Sequence, residues 1–380
     1  MTEKEQQRHV IERDSLGSLF DVLRHKGFEI VGPTVEDNAI CYGSIDSFKD
    51  LPVGWTDEQS EGKYRIKKRQ DNALFGYVVG PTSWKKFLFP PRIKLWEAKK
   101  SQKNFDIVEN TDEVPSYAFL NVRACELQAI AIQDKIFLKG DHIDPIYKKR
   151  REKTFIIAVN CTEPKGTCFC VSMNTGPRAS FGFDLSLTEI IEDEKHYFVV
   201  EVGSSKGEKI LKGVPHRPVE SSEIEQQNKL LEKAEQEMGR VMDTQNIKEL
   251  LYKNMEHPQW EDVAKRCLSC ANCTLVCPTC FCSNVEDVTD LTGDHAQRVR
   301  TWDSCFTAEH SYIHGGNIRS SIKSRYRQWM THKLASWQDQ FDSSGCVGCG
   351  RCITWCPVGI DITKEVKAIE DIPPADAERE

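Results

Sequence analysis

The chain has 380 residues, 39% apolar and 29% charged, enough for two or three domains of an ordinary globular protein. A net charge of −7 gives no electrostatic footing for nucleic acid or an anionic membrane, and no apolar run approaches the ~20 residues of a membrane span. The opening MTEKEQQRHVIERD lacks the apolar stretch of a secretory signal, so a cytoplasmic location is expected.

In chain order, Leu16, Leu19, Phe20 and Leu23 recur at helical spacing, and Gly27 supplies a stop before an apolar strand over Phe28–Val31. The polar stretch Gly54–Asp71 reads as a solvated excursion. Short apolar runs at Tyr77–Val79, Tyr117–Leu120, Phe155–Val159 and Tyr197–Val202 read as strands, with a helix over Ala124–Leu138 between two of them. The basic runs Lys67–Arg69 and Lys148–Arg151 read as solvated faces. From about Pro215 the pattern turns helical: Ser222 and Glu225 have capping-box spacing before a stripe through Leu230, Leu231, Ala234 and Met238. A short helix follows near Ile247–Met255, and a longer one is expected over Ile322–Phe341.

Sixteen cysteines are the outstanding feature, eleven of them between Cys267 and Cys356. In a reducing compartment such clustering points to metal ligands rather than disulfides. The runs CLSCANCTLVCP and CVGCGRCITWCP both fit C-x2-C-x2-C-x3-C-P. Three cysteines spaced by two wrap three corners of a cubane, and the fourth reaches the neighbouring cluster in two-cluster proteins. One [4Fe–4S] cluster is therefore expected on Cys267, Cys270, Cys273 and Cys356, and a second on Cys346, Cys349, Cys352 and Cys277. Structural zinc uses two knuckles rather than a triple followed by Cys-Pro, so it fits poorly.

Cys161, Cys168 and Cys170 follow the strand Phe155–Val159 and need a fourth donor to hold a third cluster. Cys280 or Cys282 is the expected partner, with Cys305 a further candidate; the other reading is buried or free thiols. Cys41 and Cys125 read as packing residues, and His310 and His314 as structural. No G-x-G-x-x-G follows a strand, and no P-loop, H-E-x-x-H or G-x-S-x-G is present. The chain carries wiring without a recognisable catalytic motif.

The stretches RACELQAIAIQDKIFL, YKKRREK, NCTEPKGTCFC, MEHPQWEDVAKRCLSCANCTLVCPTCFC, RVRTWDSC and CVGCGRCITWCP resemble the β, iron–sulfur subunit of cytosolic NAD(P)-linked [NiFe] hydrogenases of the sulfhydrogenase type. The iron–sulfur subunit of anaerobic sulfite reductases belongs to the same broader family. The sixty-eight residues between Cys277 and Cys346 also resemble the insert of α-helical ferredoxins in succinate dehydrogenase. The fold expected is α+β, with a mixed α/β domain over residues 1–220 and a helical ferredoxin-like two-cluster domain over 221–380. The resemblance implies an electron-transfer subunit without a catalytic site of its own. FAD and NAD(P) would sit on a partner, and electrons would pass on to the hydrogenase small and large subunits. Its alternatives are the same role in a sulfite reductase, told apart by siroheme in place of nickel, or a free ferredoxin-like carrier. The large N-terminal platform speaks against a carrier, and no DNA-reading motif supports a cluster-based sensor.

Overall fold

The computed structural model describes residues 8–101, 104–109, 113–192 and 195–372. The strands, in chain order, are β1 (Arg8–Glu12), β2 (Glu29–Glu36), β3 (Ala39–Ser44), β4 (Trp55–Ser60), β5 (Lys63–Lys68), β6 (Arg92–Ser101) and β7 (Asn104–Glu109). They continue with β8 (Tyr117–Val122), β9 (Phe155–Val159), β10 (Leu185–Glu192), β11 (Lys195–Val202), β12 (Arg217–Pro218), β13 (Ser283–Thr289) and β14 (His295–Trp302). Eight of these form the main sheet, ordered β12-β1-β11-β10-β9-β8-β2-β3. The centre, β10-β9-β8-β2, is parallel, and the flanks are antiparallel. Parallel strands are covered on both faces, which is why all five residues of Phe155–Val159 are buried and its sequence is uniformly apolar.

Helix Leu16–His25 buries Leu16, Leu19, Phe20 and Leu23 on the sheet, as its spacing requires. Helix Ala124–Leu138 is sandwiched: Leu127 and Ile130 join the sheet core, while Ala129 and Ile132 meet Trp337 and Val347 from the C-terminal part. Being apolar on both sides, it has no polar stripe. Arg123, just before it, is buried and donates to the carbonyls of Phe75 (2.7 Å), Tyr77 (2.9 Å) and Asn160 (2.9 Å).

Several local expectations change. Residues 54–71 contain the hairpin β4-β5 rather than a loose excursion. Tyr77 and Val79 are buried, but Tyr77–Val79 is not a strand: the Tyr77 carbonyl goes to Arg123, and the Val78 amide goes to Asp57 at 2.7 Å. The helix beginning at Ser221 is capped by Glu220 and Glu223, not by the Ser222–Glu225 pair. Arg69, far from free, pairs with Asp71 and Glu163. Within the insert between the cysteine runs, hairpin β13-β14 precedes the helical stretch Ile322–Phe341 and pairs with β6 in a sheet ordered β13-β14-β6-β7. The insert is thus joined by main-chain hydrogen bonds to a strand from the N-terminal half. Among the described residues, no helix is long and apolar enough to cross a membrane.

Candidate metal centres

Both cysteine runs fold into the same kind of loop. Helix Gln259–Arg266 ends at Cys267, and the chain then takes left-handed backbone at Ser269 (φ 53°) and Ala271 (φ 67°). In the second run the positions equivalent to these are Gly348 (φ 65°) and Gly350 (φ 74°). Two left-handed residues at these offsets curl each loop tightly around its three successive cysteines. The second loop uses glycine for a further reason. A Cβ on Gly348 would lie 2.5 Å from the Phe169 carbonyl oxygen, and one on Gly350 would lie 2.3 Å from that of Thr167. The segment 160–177 is packed directly onto this loop, with the Phe169 amide donating to Gly348 O at 2.8 Å and the Thr175 hydroxyl to Val347 O at 2.7 Å.

Cys267, Cys270, Cys273 and Cys356 line one apolar cavity, walled by Phe306, Tyr326 and Trp329. The aromatic residues of the insert thus enclose the first thiol set. Cys346, Cys349, Cys352 and Cys277 form the second set: burial pushes the Cys352 thiol well up, and the charges of Cys346, Cys349 and Cys277 push it further. Lys333, itself buried, donates to the Cys277 sulfur (3.2 Å), Thr279 Oγ1 (3.0 Å) and Gly345 O (3.1 Å). Burial pushes the Cys267, Cys273, Cys346, Cys349 and Cys352 thiols up, while a hydrogen bond from Cys280 and the charge of Lys333 hold Cys277 down; thiolates in such a place become stable when cations neutralise them. Both sets therefore have the donor chemistry of an iron–sulfur cubane.

A third cavity is lined by Cys161, Cys168, Cys170 and Cys125, with Met238 and Arg123 beside them. Cys280 and Cys282 do not line it. Topology explains the difference. β8 and β9 are adjacent and parallel, so their carboxyl ends open onto one crevice. Cys125 stands just after the first of them and Cys161 just after the second. Cys125 packs against Ala129, Ile132, Trp337 and Val347, as expected, and also stands among the thiols; its position beyond the end of a strand, like that of Cys161, is the signal the sequence offers. Burial and Cys161 together push the Cys168 thiol up to about 12.

Cys280 hydrogen-bonds Cys277, and Cys282 hydrogen-bonds Cys305 and His310. Cys41 packs with Ala39 and Tyr64, as expected.

A family model described as a 4Fe-4S dicluster domain matches residues 266–360, which span both cysteine runs. Sulfhydrogenase 2 subunit beta of Pyrococcus furiosus is 31% identical over 291 residues, 76% of this chain and 82% of that protein. The chain belongs to the sulfhydrogenase β-subunit family. No solved structure matches it. Membership and the dicluster domain together make it an iron–sulfur electron-transfer subunit. In this β subunit the dicluster match begins after four of the third cavity's thiols, Cys125, Cys161, Cys168 and Cys170, and includes the fifth, Cys349.

Proposed function

We propose that this β subunit relays single electrons along three [4Fe–4S] clusters, between a flavin- and NAD(P)-binding subunit and the small and large subunits of a [NiFe] hydrogenase. The observation that carries the reading is a shared wall. Cys349, of the second thiol set, lines the third cavity, while Cys352 and Cys356 of the same loop line the first. One loop touches all three sites, which supports an arrangement in series. Bound clusters would supply one-electron oxidation and reduction. Cys267, Cys270, Cys273 and Cys356 would hold the first; Cys346, Cys349, Cys352 and Cys277 the second; and Cys125, Cys161, Cys168 and Cys170 the third.

The protein's own residues hold these sites together and leave one edge open. Arg351, between Cys349 and Cys352, forms a buried ion pair with Glu126, next to Cys125, and donates to Gly80 O at 3.0 Å. Thr167 and Thr354 share a hydrogen bond at 2.7 Å across the same junction. At the other end of the series Cys270 is exposed, and Leu268, Leu275 and Val358 near it are exposed apolar residues. This edge suits a partner subunit, because electron transfer needs a cluster close to the surface.

Iron analysis of the anaerobically purified chain tests the ligand sets. About twelve iron atoms are expected for wild type and for Cys280→Ala, and about eight for Cys125→Ala. Eight in wild type, or no loss in Cys125→Ala, would remove the third cluster from the relay. In the purified complex, Cys270→Ser or Cys349→Ser should abolish NAD(P)H-linked turnover and spare dye-linked activity at the partner's nickel site. A complex containing siroheme and no nickel would move the chain to the sulfite reductase branch.

A further inference from the structure

Three cysteines fall outside the cluster sets and the Cys41 packing site, and two of them form a centre with its own acid–base group. Cys282 and Cys305 lie on either side of hairpin β13-β14, whose strand pairing brings Ser283 opposite Trp302 and so closes the gap between the thiols. Cys282 lies beside Cys305 and the His310 ring, and the Asp303 amide donates to the Cys282 carbonyl at 2.9 Å. His310 Nδ1 is 2.7 Å from Asp303 Oδ2, so the imidazole is oriented from behind by a carboxylate. Both thiols are only half-buried, and the His310 side chain keeps 24% of its surface.

We propose that Cys282 and Cys305 are a redox-active dithiol, with Cys282 as the attacking thiolate, Cys305 as the resolving thiol and His310 as the proton donor and acceptor. The charge balance agrees: hydrogen bonds from Cys305 and His310 hold Cys282 below the usual thiol range, while Cys305 is raised by its partner. A single metal ion is the competing use of such side chains. Metal analysis of Cys305→Ser separates the two uses. Asp303 holds the imidazole by its ring nitrogen, as in an activated-nucleophile triad. Positive charge on the part-exposed His310 selects a small anionic molecule bearing an S–S bond.

In the reaction, the Cys282 thiolate attacks one sulfur of the substrate S–S bond, forming a mixed disulfide and expelling the other sulfur as a thiolate, which takes the His310 proton. Cys305 then gives its proton to the neutral His310 and attacks Cys282, closing the Cys282–Cys305 disulfide and expelling the second thiolate. Two electrons and one proton return Cys282 to its thiolate and Cys305 to its thiol. These electrons come one at a time from the neighbouring cluster sites, a return that rests on the relay reading. The pair is placed for it, since Cys305 feels the charge of Cys273 in the first set and Cys280 links Lys85, beside Cys282, to Cys277 of the second.

The test uses the full chain with its clusters, treated anaerobically with tetrathionate and read by peptide mass spectrometry. A Cys282–Cys305 crosslink is expected in wild type, and a trapped thiosulfonate adduct on Cys282 in Cys305→Ser. His310→Gln should slow adduct formation roughly tenfold or more, because an ordinary thiol is only a few per cent ionised at neutral pH. Photoreduction of the clusters, followed by electron paramagnetic resonance, should return both thiols. Absence of crosslink and adduct overturns the proposal, as does a zinc or iron atom beyond the cluster content that Cys305→Ser loses. Clusters that reduce while the disulfide stays closed overturn the coupling and leave the relay standing. Clusters that do not reduce at all tell against the relay instead.

Discussion

Replacing Lys333 by methionine removes one positive charge and little volume from beside the second thiol set. The ammonium is buried and 3.2 Å from the Cys277 sulfur, so solvent screens it weakly. A unit charge about 6 Å from the centre of a cluster held there interacts by about 3 kcal/mol at an effective dielectric constant of about 20. Since about 1.4 kcal/mol corresponds to about 59 mV for one electron, the second cluster of Lys333→Met should be harder to reduce by on the order of 100 mV. Lys333→Gln can keep a hydrogen bond to Thr279 without the charge and should shift the potential in the same direction. The assay is an anaerobic redox titration followed by electron paramagnetic resonance, with iron counted in every variant. Full iron content with all potentials within ~30 mV of wild type would refute the electrostatic reasoning. Loss of four irons in Lys333→Gln would instead show that the ammonium is needed to assemble the site.

Glu126→Gln leaves Arg351 buried without its counter-charge, and breaking such a pair should cost about 3–5 kcal/mol, measurable by anaerobic urea unfolding. A cost under about 1 kcal/mol would mean that water reaches the pair. Gly348→Ala, which must push against the Phe169 carbonyl, should loosen the 160–177 segment and lower third-cluster iron before the first two are affected; Ala271→Gly, at the open loop, should leave iron content unchanged. The hydrogen bond to Cys282 and then Asp303 raise His310 to about 9. Its folded value lies above the unfolded one, so this stabilisation is complete below about pH 6.5 and is lost as pH rises through about 9. Hydrogen exchange in residues 303–318, corrected for intrinsic rates, should accelerate across that interval in wild type and at lower pH in Asp303→Asn.

The parts of the site legible in the sequence are those encoded within a few residues. Cys267, Cys270 and Cys273 advertise a cubane because the spacing itself wraps the loop, and the buried strand Phe155–Val159 reads as one because both its faces are covered. Cys125 is not legible in this way. Its neighbours Cys161 and Cys168 lie dozens of residues away, and only the order of β8 and β9 in the sheet unites them. The same holds for hairpin β13-β14, whose exposed, mixed-polarity strands carry little alternation and are held by pairing to β6. Tyr77–Val79 misleads for the opposite reason: it is as apolar and buried as a strand, yet a side chain, Arg123, takes the carbonyls of Phe75 and Tyr77. Glycines 348 and 350 are plain in the sequence, but their purpose depends on a segment some 180 residues earlier.

The interleaving of the cysteine sets bears on how the protein is made. Cys356 completes the first set, Cys277 completes the second, and the third cavity is walled by Gly348 and Cys349. On the proposed ligand sets a growing polypeptide has no finished first site until Cys356 has left the ribosome. The maturation machinery would then have to act on a chain whose two halves have already met. A truncation just before Cys356, far from removing a dispensable end, would deprive the first site of its fourth thiol and leave the second site's loop unanchored.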